Sequence, residues 1–483
     1  MISIATPIKF GTDGWRGIIA EDFTFDNVRA CAQGYADYLK GAGLAGRGIV
    51  IGYDTRFESE DFAAATAEVL AGNGIRTFLC QRATPTPLVS FGVVHRKAAG
   101  GIVITASHNP AVYNGFKIKS EEGNSAPEEI TCLVEDNIAV VAASGKIARL
   151  PLSQARKHGL VEDVDLAPEY FDAIGKLVDG KALRDCGLKI VVDPMRGAGC
   201  GYLKHVLSEG RTQLVQINGE RNPLFPGIER PEPIAVNLKA LSEAVKREKA
   251  IVGLALDGDA DRMGIMDETG NFLTQLQVFA LLCLYLLDTR GQRGPIVKTL
   301  TTTSMAYRLG EIYNVPVFET AVGFKYVAPV MKRENALIGG EESGGYGFRG
   351  HVLERDGILA NLYFLDFIRR TGKTPSQLIE YLYSKVGPHY YEREDFTFPA
   401  DQRPAILGRI ENSGLKAIDG TAVSRLDRRD GFRFNLADNS WLLIRFSGTE
   451  PVLRIYSETS SIERAKSLVQ FGRKLAGVEA SEC

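Results

Sequence analysis

The chain reads as an α/β protein built from repeated units, and three observations say so. Apolar, β-branched runs break into polar loops, helical segments follow those loops, and the whole extends over 483 residues. That length exceeds what one hydrophobic core sustains and divides into about three or four domains. The first unit sets the plan. A glycine-punctuated loop, Phe10-Gly11-Thr12-Asp13-Gly14-Trp15-Arg16-Gly17, carries Asp13 and Arg16 and leads into a helix over 25–39. Residues 48–52 form a strand ending in Asp54-Thr55-Arg56, residues 59–72 a second helix, and 102–104 a buried strand after two glycines. Strand, polar loop and helix in repetition predict parallel sheets with helices on both faces.

The same unit recurs along the chain. Residues 188–192 run into Asp193, residues 250–256 into Asp257, and residues 295–299 into a threonine-rich loop with a helix over 304–312. Each is a strand whose carboxyl end carries a loop available for function. The polar stretch 153–165 reads as the exit from the first unit and the turn 267–271 as the exit from the second. Beyond Gly387-Pro388-His389 the texture changes, with short antiparallel strands near 395–398, 431–435 and 441–446 and a closing helix over 461–475. The expected domains are therefore 1–160, 161–270, 271–387 and 388–483. The first three are similar α/β units with mixed sheets, and the last is a smaller α+β domain.

Composition excludes several classes of function. A hydrophobic fraction of 45%, a charged fraction of 24% and a net charge of -2 are those of an ordinary globular protein. They give no bulk reason to expect nucleic acid or an anionic membrane as a partner. Seven cysteines without a Cys-x-x-Cys pair read as reduced thiols in a cytoplasmic protein. Residues 1–9 are too short and polar for a signal peptide, and the longest apolar run, 278–287, is half a membrane span and hence a buried helix.

Four loops carry chemistry. The first is Thr105-Ala106-Ser107-His108-Asn109-Pro110, running on to Asn114-Gly115-Phe116-Lys117. Pro110 biases Asn109 away from helix, so Ser107 is expected on an extended turn with its hydroxyl presented. Lys117 returns a cation to the same place, and His108 adjoins the serine. No Gly-x-Ser-x-Gly elbow accompanies it.

The second loop, Asp257-Gly258-Asp259-Ala260-Asp261-Arg262, is the strongest local signal. In extended backbone three carboxylates at alternate positions point to one side, and such a cluster calls for a cation held by oxygen ligands, as Mg²⁺ is. A calcium loop is excluded because Arg262 stands where that motif needs glycine. The third loop, Gly339-Gly340-Glu341-Glu342-Ser343-Gly344-Gly345, offers carboxylates and a hydroxyl suited to sugar hydroxyls. Ahead of it, the stretch 318–325 contributes Gly323 and adds Lys325 as an anion ligand. The fourth, Arg445-Phe446-Ser447-Gly448-Thr449, joins an arginine to hydroxyls and open backbone amides, an anion nest. His95, His158, His205 and His389 lack metal-like partners and read as surface or core residues. His351 is placed near the third loop.

Together, in this order, the four loops resemble the α-D-phosphohexomutase family, the phosphoglucomutases, phosphomannomutases and their relatives, over residues 10 to 456. The resemblance implies four domains around a central cleft that opens by movement of the last. It implies a phosphorylated Ser107, with Mg²⁺ held by Asp257, Asp259, Asp261 and the phosphoserine oxygen, and Arg262 completing the metal motif. Arg16 and Lys117 would lie at the transferred phosphoryl, with Lys117 as general acid/base at a pKa lowered by cationic surroundings. Glu341 and Ser343 would bind the sugar, Lys298 would lie at the substrate, and Arg445, Ser447, Gly448 and Thr449 would hold the non-reacting phosphate. Glu342 beside Glu341, together with the stretches 319–325 and 351–357, resembles the glucose-specific members, and Gly345 stands where mannose-tolerant members often carry histidine.

The implied activity is that of a phosphoglucomutase, interconverting glucose 1-phosphate and glucose 6-phosphate with glucose 1,6-bisphosphate as intermediate and activator. Alternatives are a dual glucose/mannose mutase, a glucose 1,6-bisphosphate synthase, a metal-dependent phosphatase and a non-catalytic sugar-phosphate sensor.

Overall fold

The computed structural model of the chain describes residues 8–447 and 452–478. Among these residues the strands fall into four sheets in chain order. The first holds β1 (Trp15–Ile18), β2 (Ile49–Tyr53), β3 (Thr77–Cys80), β4 (Gly100–Ile104), β5 (Tyr113–Lys119) and β6 (Val161–Val164), ordered β1-β5-β4-β2-β3-β6. β2 runs parallel to β3 and β4, and β3 to β6, whereas β5 returns antiparallel between β4 and β1. Both faces are covered. Ile49 and Ile51 of β2 enter one apolar cluster with Val28 and Leu39 of the helix Phe25–Gly41. Val50 enters another with Val89 and Val93 of the helix Thr86–Arg96. A strand buried on both faces reads as a continuous apolar run, which is why these strands were legible.

The second sheet holds β7 (Lys189–Asp193), β8 (Gln213–Gln216), β9 (Val252–Leu256), β10 (Met263–Met266) and β11 (Phe272–Leu273), ordered β11-β10-β9-β7-β8. The third holds β12 (Ile296–Thr299), β13 (Val317–Thr320), β14 (Ile338–Gly340) and β15 (Tyr346–Phe348), ordered β13-β12-β14-β15. Each mixes parallel pairs with an antiparallel edge. The two sheets share a core in which Leu254 and Ile338 meet the helix Gln275–Leu284. That helix opens with a reciprocal cap between Thr274 and Gln277 and is the buried helix expected from its apolar run.

The fourth sheet is antiparallel throughout: β16 (Tyr390–Thr397), β17 (Ala417–Ile418), β18 (Thr421–Asp427), β19 (Phe432–Leu436), β20 (Trp441–Phe446) and β21 (Val452–Thr459). The helix Ile462–Ala476 covers one face through Leu468 and Val469. On the other face Trp441, Leu443 and Tyr456 pack on Leu300 of the third unit. The expected fold class, three mixed α/β units and an antiparallel α+β unit, is the one observed.

Strand pairing bears on two of the expected boundaries. β6 completes the first sheet by pairing parallel with β3, so a cut at 160 falls just before that sheet's last strand. The turn at 267–271 is a hairpin inside the second sheet. Asp267 Oδ1 accepts the backbone N–H groups of Thr269 and Asn271, an Asx-type turn that folds β10 back onto β11.

Candidate active site

Ser107 sits just past the carboxyl end of β4. Its φ is 53°, left-handed, so the expected extended turn is instead a compact one. The Ser107 N–H donates to Thr105 Oγ1 at 2.8 Å, a local bond that the Pro110 argument could not foresee. The residue is buried, and its hydroxyl donates to Asp257 Oδ2 at 3.0 Å. His108 Nδ1 lies 3.4 Å from the same hydroxyl. Burial, with Arg262, Arg16 and Lys117 close by, holds His108 well below its ordinary pKa, so the ring is neutral at neutral pH. Arg16, on β1, donates to Asn109 Oδ1 in the serine loop.

Asp257, Asp259 and Asp261 follow β9 and are fully buried, with one carboxylate oxygen from each lying within 4.8 Å of the others. They gather through a turn and not through the alternation of an extended strand. Ala260 has φ 60°, and Asp257 Oδ1 accepts the Arg262 N–H at 3.0 Å. Asp259 Oδ1 and Asp261 Oδ1 are buried without a hydrogen-bond partner. Unsatisfied carboxylate oxygens are costly in a low-dielectric interior unless a cation faces them. A close-set, all-oxygen, anionic donor set with orphaned lone pairs fits a hard divalent cation.

Lys117, on β5, pairs with Asp13 Oδ2 at 2.7 Å and Asp259 Oδ2 at 2.8 Å, and Asp261 Oδ2 lies 3.6 Å away. This corrects the expectation of a lowered pKa. Burial does push the ammonium down, but the surrounding carboxylates outweigh it and raise Lys117 above its ordinary value. It is a fixed cation. The same pair, against the burial that would raise it, holds Asp259 below the usual carboxylate range.

The third loop meets this cluster through Arg355. Its guanidinium lies 2.7 Å from Asp13 Oδ2, 2.7 Å from Asp261 Oδ2, 3.2 Å from Glu354 Oε1 and 3.5 Å from Glu341 Oε2. Gly345 makes room for it, since a Cβ there would stand 2.3 Å from Arg355 Cδ. Burial raises Glu341 to about 7, with Arg355 opposing the rise. The Ser343 hydroxyl is buried without a hydrogen-bond partner. The Met263 N–H donates to the Gly344 carbonyl at 3.0 Å, joining the third loop to the end of the aspartate loop. Arg262 is held by Glu232 at 3.2 Å.

Lys298 and Arg445 lie at a second place, the seam between the third and fourth units. Lys298 is fully buried, 2.8 Å from Glu319 Oε2, and burial lowers it to about 8 against the pull of Glu319. Glu319 also accepts from Tyr307, Arg429 and Arg433. Arg445 donates to Asp430, whose other oxygen accepts the Val322 N–H at 3.0 Å. Gly323, φ 127°, precedes the helix Phe324–Glu334, and Lys325 on that helix lies 3.6 Å from Glu128 of the first unit. The Ser447 N–H closes the β20–β21 hairpin on Val452, and Gly448 and Thr449 lie outside the described residues. His351 is paired with Asp356 at 2.9 Å. Two further residues complete the site: Asp13, which joins Lys117 to Arg355, and Thr86, whose hydroxyl donates to Asp259 Oδ2 at 2.6 Å. The Gly-Thr-Asp-Gly loop signalled Asp13, whereas nothing local signalled Thr86.

Comparison with known proteins gives these loops a common context. Family models described as phosphoglucomutase/phosphomannomutase match along the chain: domain I over 7–143, domain II over 168–270, domain III over 275–386 and the C-terminal domain over 402–474. A phosphoglucomutase/phosphomannomutase of Thermococcus kodakarensis is 33% identical over 96% of this chain and 98% of its own length. A "probable phosphoglucosamine mutase" of Thermococcus gammatolerans is 32% identical over 96% of this chain and 97% of its own length. The crystal structure of a "putative phosphomannomutase" from Thermus thermophilus superposes with a TM-score of 0.84, at 35% identity and with 98% of this chain and 99% of that one covered. With every family domain matched in order and the serine, aspartate and third loops drawn together, the chain belongs to the α-D-phosphohexomutase family and is an enzyme of the phosphohexomutase type.

Proposed function

We propose that this phosphohexomutase interconverts glucose 1-phosphate and glucose 6-phosphate through a phosphoryl group carried on Ser107. The observation that carries the reading is the Ser107 hydroxyl, 3.0 Å from Asp257 Oδ2 of the aspartate loop, whose Asp259 Oδ2 lies 2.8 Å from Lys117. Phosphoryl transfer is chiefly positioning and charge neutralisation, which a fixed cation beside the serine supplies. Mg²⁺, held by Asp257, Asp259, Asp261 and Ser107, would draw charge from the phosphoryl oxygens.

The protein groups divide the remaining work. Lys117 and Arg16 stabilise negative charge at the serine. Glu341, raised to about 7 by burial, is able to exchange a proton with a sugar hydroxyl near neutrality. Glu341 and Ser343 grip the sugar, while Arg445, Ser447, Gly448 and Thr449, with Gly323 and Lys325, receive the non-reacting phosphate, and Lys298 holds Glu319 behind them. Glucose 1,6-bisphosphate then turns over in place, so that phosphate moves between the two ends of the sugar.

The names of the relatives keep mannose and glucosamine phosphates in view as substrates, and the glucose preference rests on the Glu341-Glu342 pair and Gly345. The test is a parallel assay of glucose, mannose and glucosamine 1-phosphates with Mg²⁺ and a trace of the matching bisphosphate. Rapid formation of glucose 6-phosphate with slower use of the others supports the proposal. A strong preference for glucosamine or mannose 1-phosphate overturns the substrate, and release of free phosphate overturns the mutase reading. Ser107→Ala should abolish turnover while sugar-phosphate binding persists.

A further inference from the structure

Arg56 stands at the end of β2, fully buried, in a position the reaction outlined above leaves without a role. Its guanidinium is spread over main-chain carbonyl oxygens of the serine loop. Nη2 donates to Ser107 O at 2.7 Å and Asn109 O at 2.6 Å, and Nη1 to Pro110 O at 2.7 Å and Tyr113 O at 3.0 Å. Nε donates to Asp54 Oδ2 at 3.1 Å. That carboxylate oxygen also accepts from Thr105 Oγ1 at 2.5 Å, and Thr105 Oγ1 in turn accepts the Ser107 N–H. The serine is thus held at its carbonyl by Arg56 and at its N–H through Thr105 by Asp54, the two members of one buried ion pair. The second unit grips the same segment. Arg221 donates to Thr55 O at 3.1 Å and Arg56 O at 3.3 Å, Thr55 Oγ1 donates to Arg196 O at 2.8 Å, and the Arg56 guanidinium lies 5.3 Å from the centre of the Phe225 ring.

We infer that Arg56 is a positioning residue, whose fork fixes the left-handed turn at Ser107 and registers the serine loop against the aspartate loop. A non-glycine residue at φ 53° is disfavoured and persists only where its surroundings over-determine it. Carbonyl oxygens all converging on one cation do that. The guanidinium suits the task because it is planar and carries five donors in fixed directions. Lysine at this position has the charge but only a single nitrogen, which cannot reach carbonyls on both sides of the loop.

The inference rests on the proposed role of Ser107 for its kinetic consequence and on geometry alone for its structural one, so the two are tested apart. Hydrogen exchange of peptides spanning 105–113 is measured for the wild type, Arg56→Lys and Thr105→Val, with melting curves as a check on folding. Thr105→Val keeps the shape of the side chain while removing its hydrogen bonds, so one variant stays informative should Arg56→Lys fold poorly. Both variants should exchange faster within 105–113 while the helix Gln275–Leu284 keeps its protection. Unchanged exchange in the folded variants would overturn the inference whatever the enzyme's substrate.

In the mutase assay, displacing a reacting group by about 1 Å costs on the order of 100-fold in rate, so kcat should fall by about that factor while KM stays within about twofold. Guanidinium ion should restore part of the activity of Arg56→Ala, and methylammonium should not. A loss confined to KM, or equal rescue by both cations, would count against positioning by the fork. Should the wild type itself turn over none of the sugar phosphates, the proposed function fails and the exchange result still decides the role of Arg56.

Discussion

Replacing Gly258 by alanine tests whether the serine and aspartate loops must touch for the enzyme to work. A Cβ at this position would stand 2.3 Å from the Ser107 carbonyl oxygen and 3.2 Å from Pro231 Cγ. The glycine does not adopt a left-handed φ, so the available space, not backbone strain, decides the outcome. Retreat of the aspartate loop is opposed. The Gly258 N–H donates to Pro231 O at 3.1 Å, and its carbonyl accepts the Ala198 N–H at 2.9 Å. Contacts of this kind settle at no less than 3.0 Å, so the loops must part by at least about 0.7 Å. A shift of that size breaks the 3.0 Å contact between Ser107 Oγ and Asp257 Oδ2. Overpacking of this sort costs about 1–3 kcal/mol of stability, and misplacing a reacting group by nearly an ångström costs roughly 10- to 100-fold in rate. The assay is initial-rate conversion of glucose 1-phosphate, with a melting curve for the same preparation. A folded Gly258→Ala enzyme with kcat within about twofold of wild type would refute the idea that the reaction depends on this close approach.

Three further outcomes follow from the site and the seam. Magnesium should raise the melting temperature of the wild type, since a ligand at about a hundred times its Kd adds about 2.7 kcal/mol, and Asp261→Asn should lose most of that response. An equal response in both would place the ion elsewhere. Glu341 has a folded pKa raised from 4.5 to about 7, so the native state binds this proton more tightly than the unfolded chain and stability falls as pH rises through that interval. Measured in chelator, Glu341→Gln should match wild type near pH 4.5 and gain up to about 3 kcal/mol above the upper value, whereas a difference independent of pH would refute the assignment. Finally, Glu319→Leu strands the buried Lys298 ammonium between the third and fourth units, at a cost of about 3–5 kcal/mol. Limited proteolysis near 387 should accelerate, and an unchanged cleavage rate would show that this carboxylate does not hold the seam.

The amino-acid sequence determined the strands and most of the helices, because strands covered on both faces carry short, mostly apolar and β-branched runs. The runs 48–52, 188–192 and 295–299 therefore announced themselves one by one. It also determined which loops carry chemistry, since Asp257, Asp259, Asp261 and the Ser107-His108 step are unusual residue combinations at the ends of such strands. What it could not determine is anything set by the partner across a gap. The pKa of Lys117 rises because Asp13 and Asp259, far off in the chain, come within 2.8 Å. Thr86 and Arg355 enter the site from other units, and the aspartates cluster through a left-handed Ala260 that no alternation rule predicts. Lys298, expected at the substrate, is enclosed at the seam because Glu319 pairs with it and Arg433 joins Glu319 from the fourth unit. Local pattern fixes an element through the solvent it avoids. Charge, pKa and the direction of a hydroxyl depend on distances between groups, and those exist only once the units have docked.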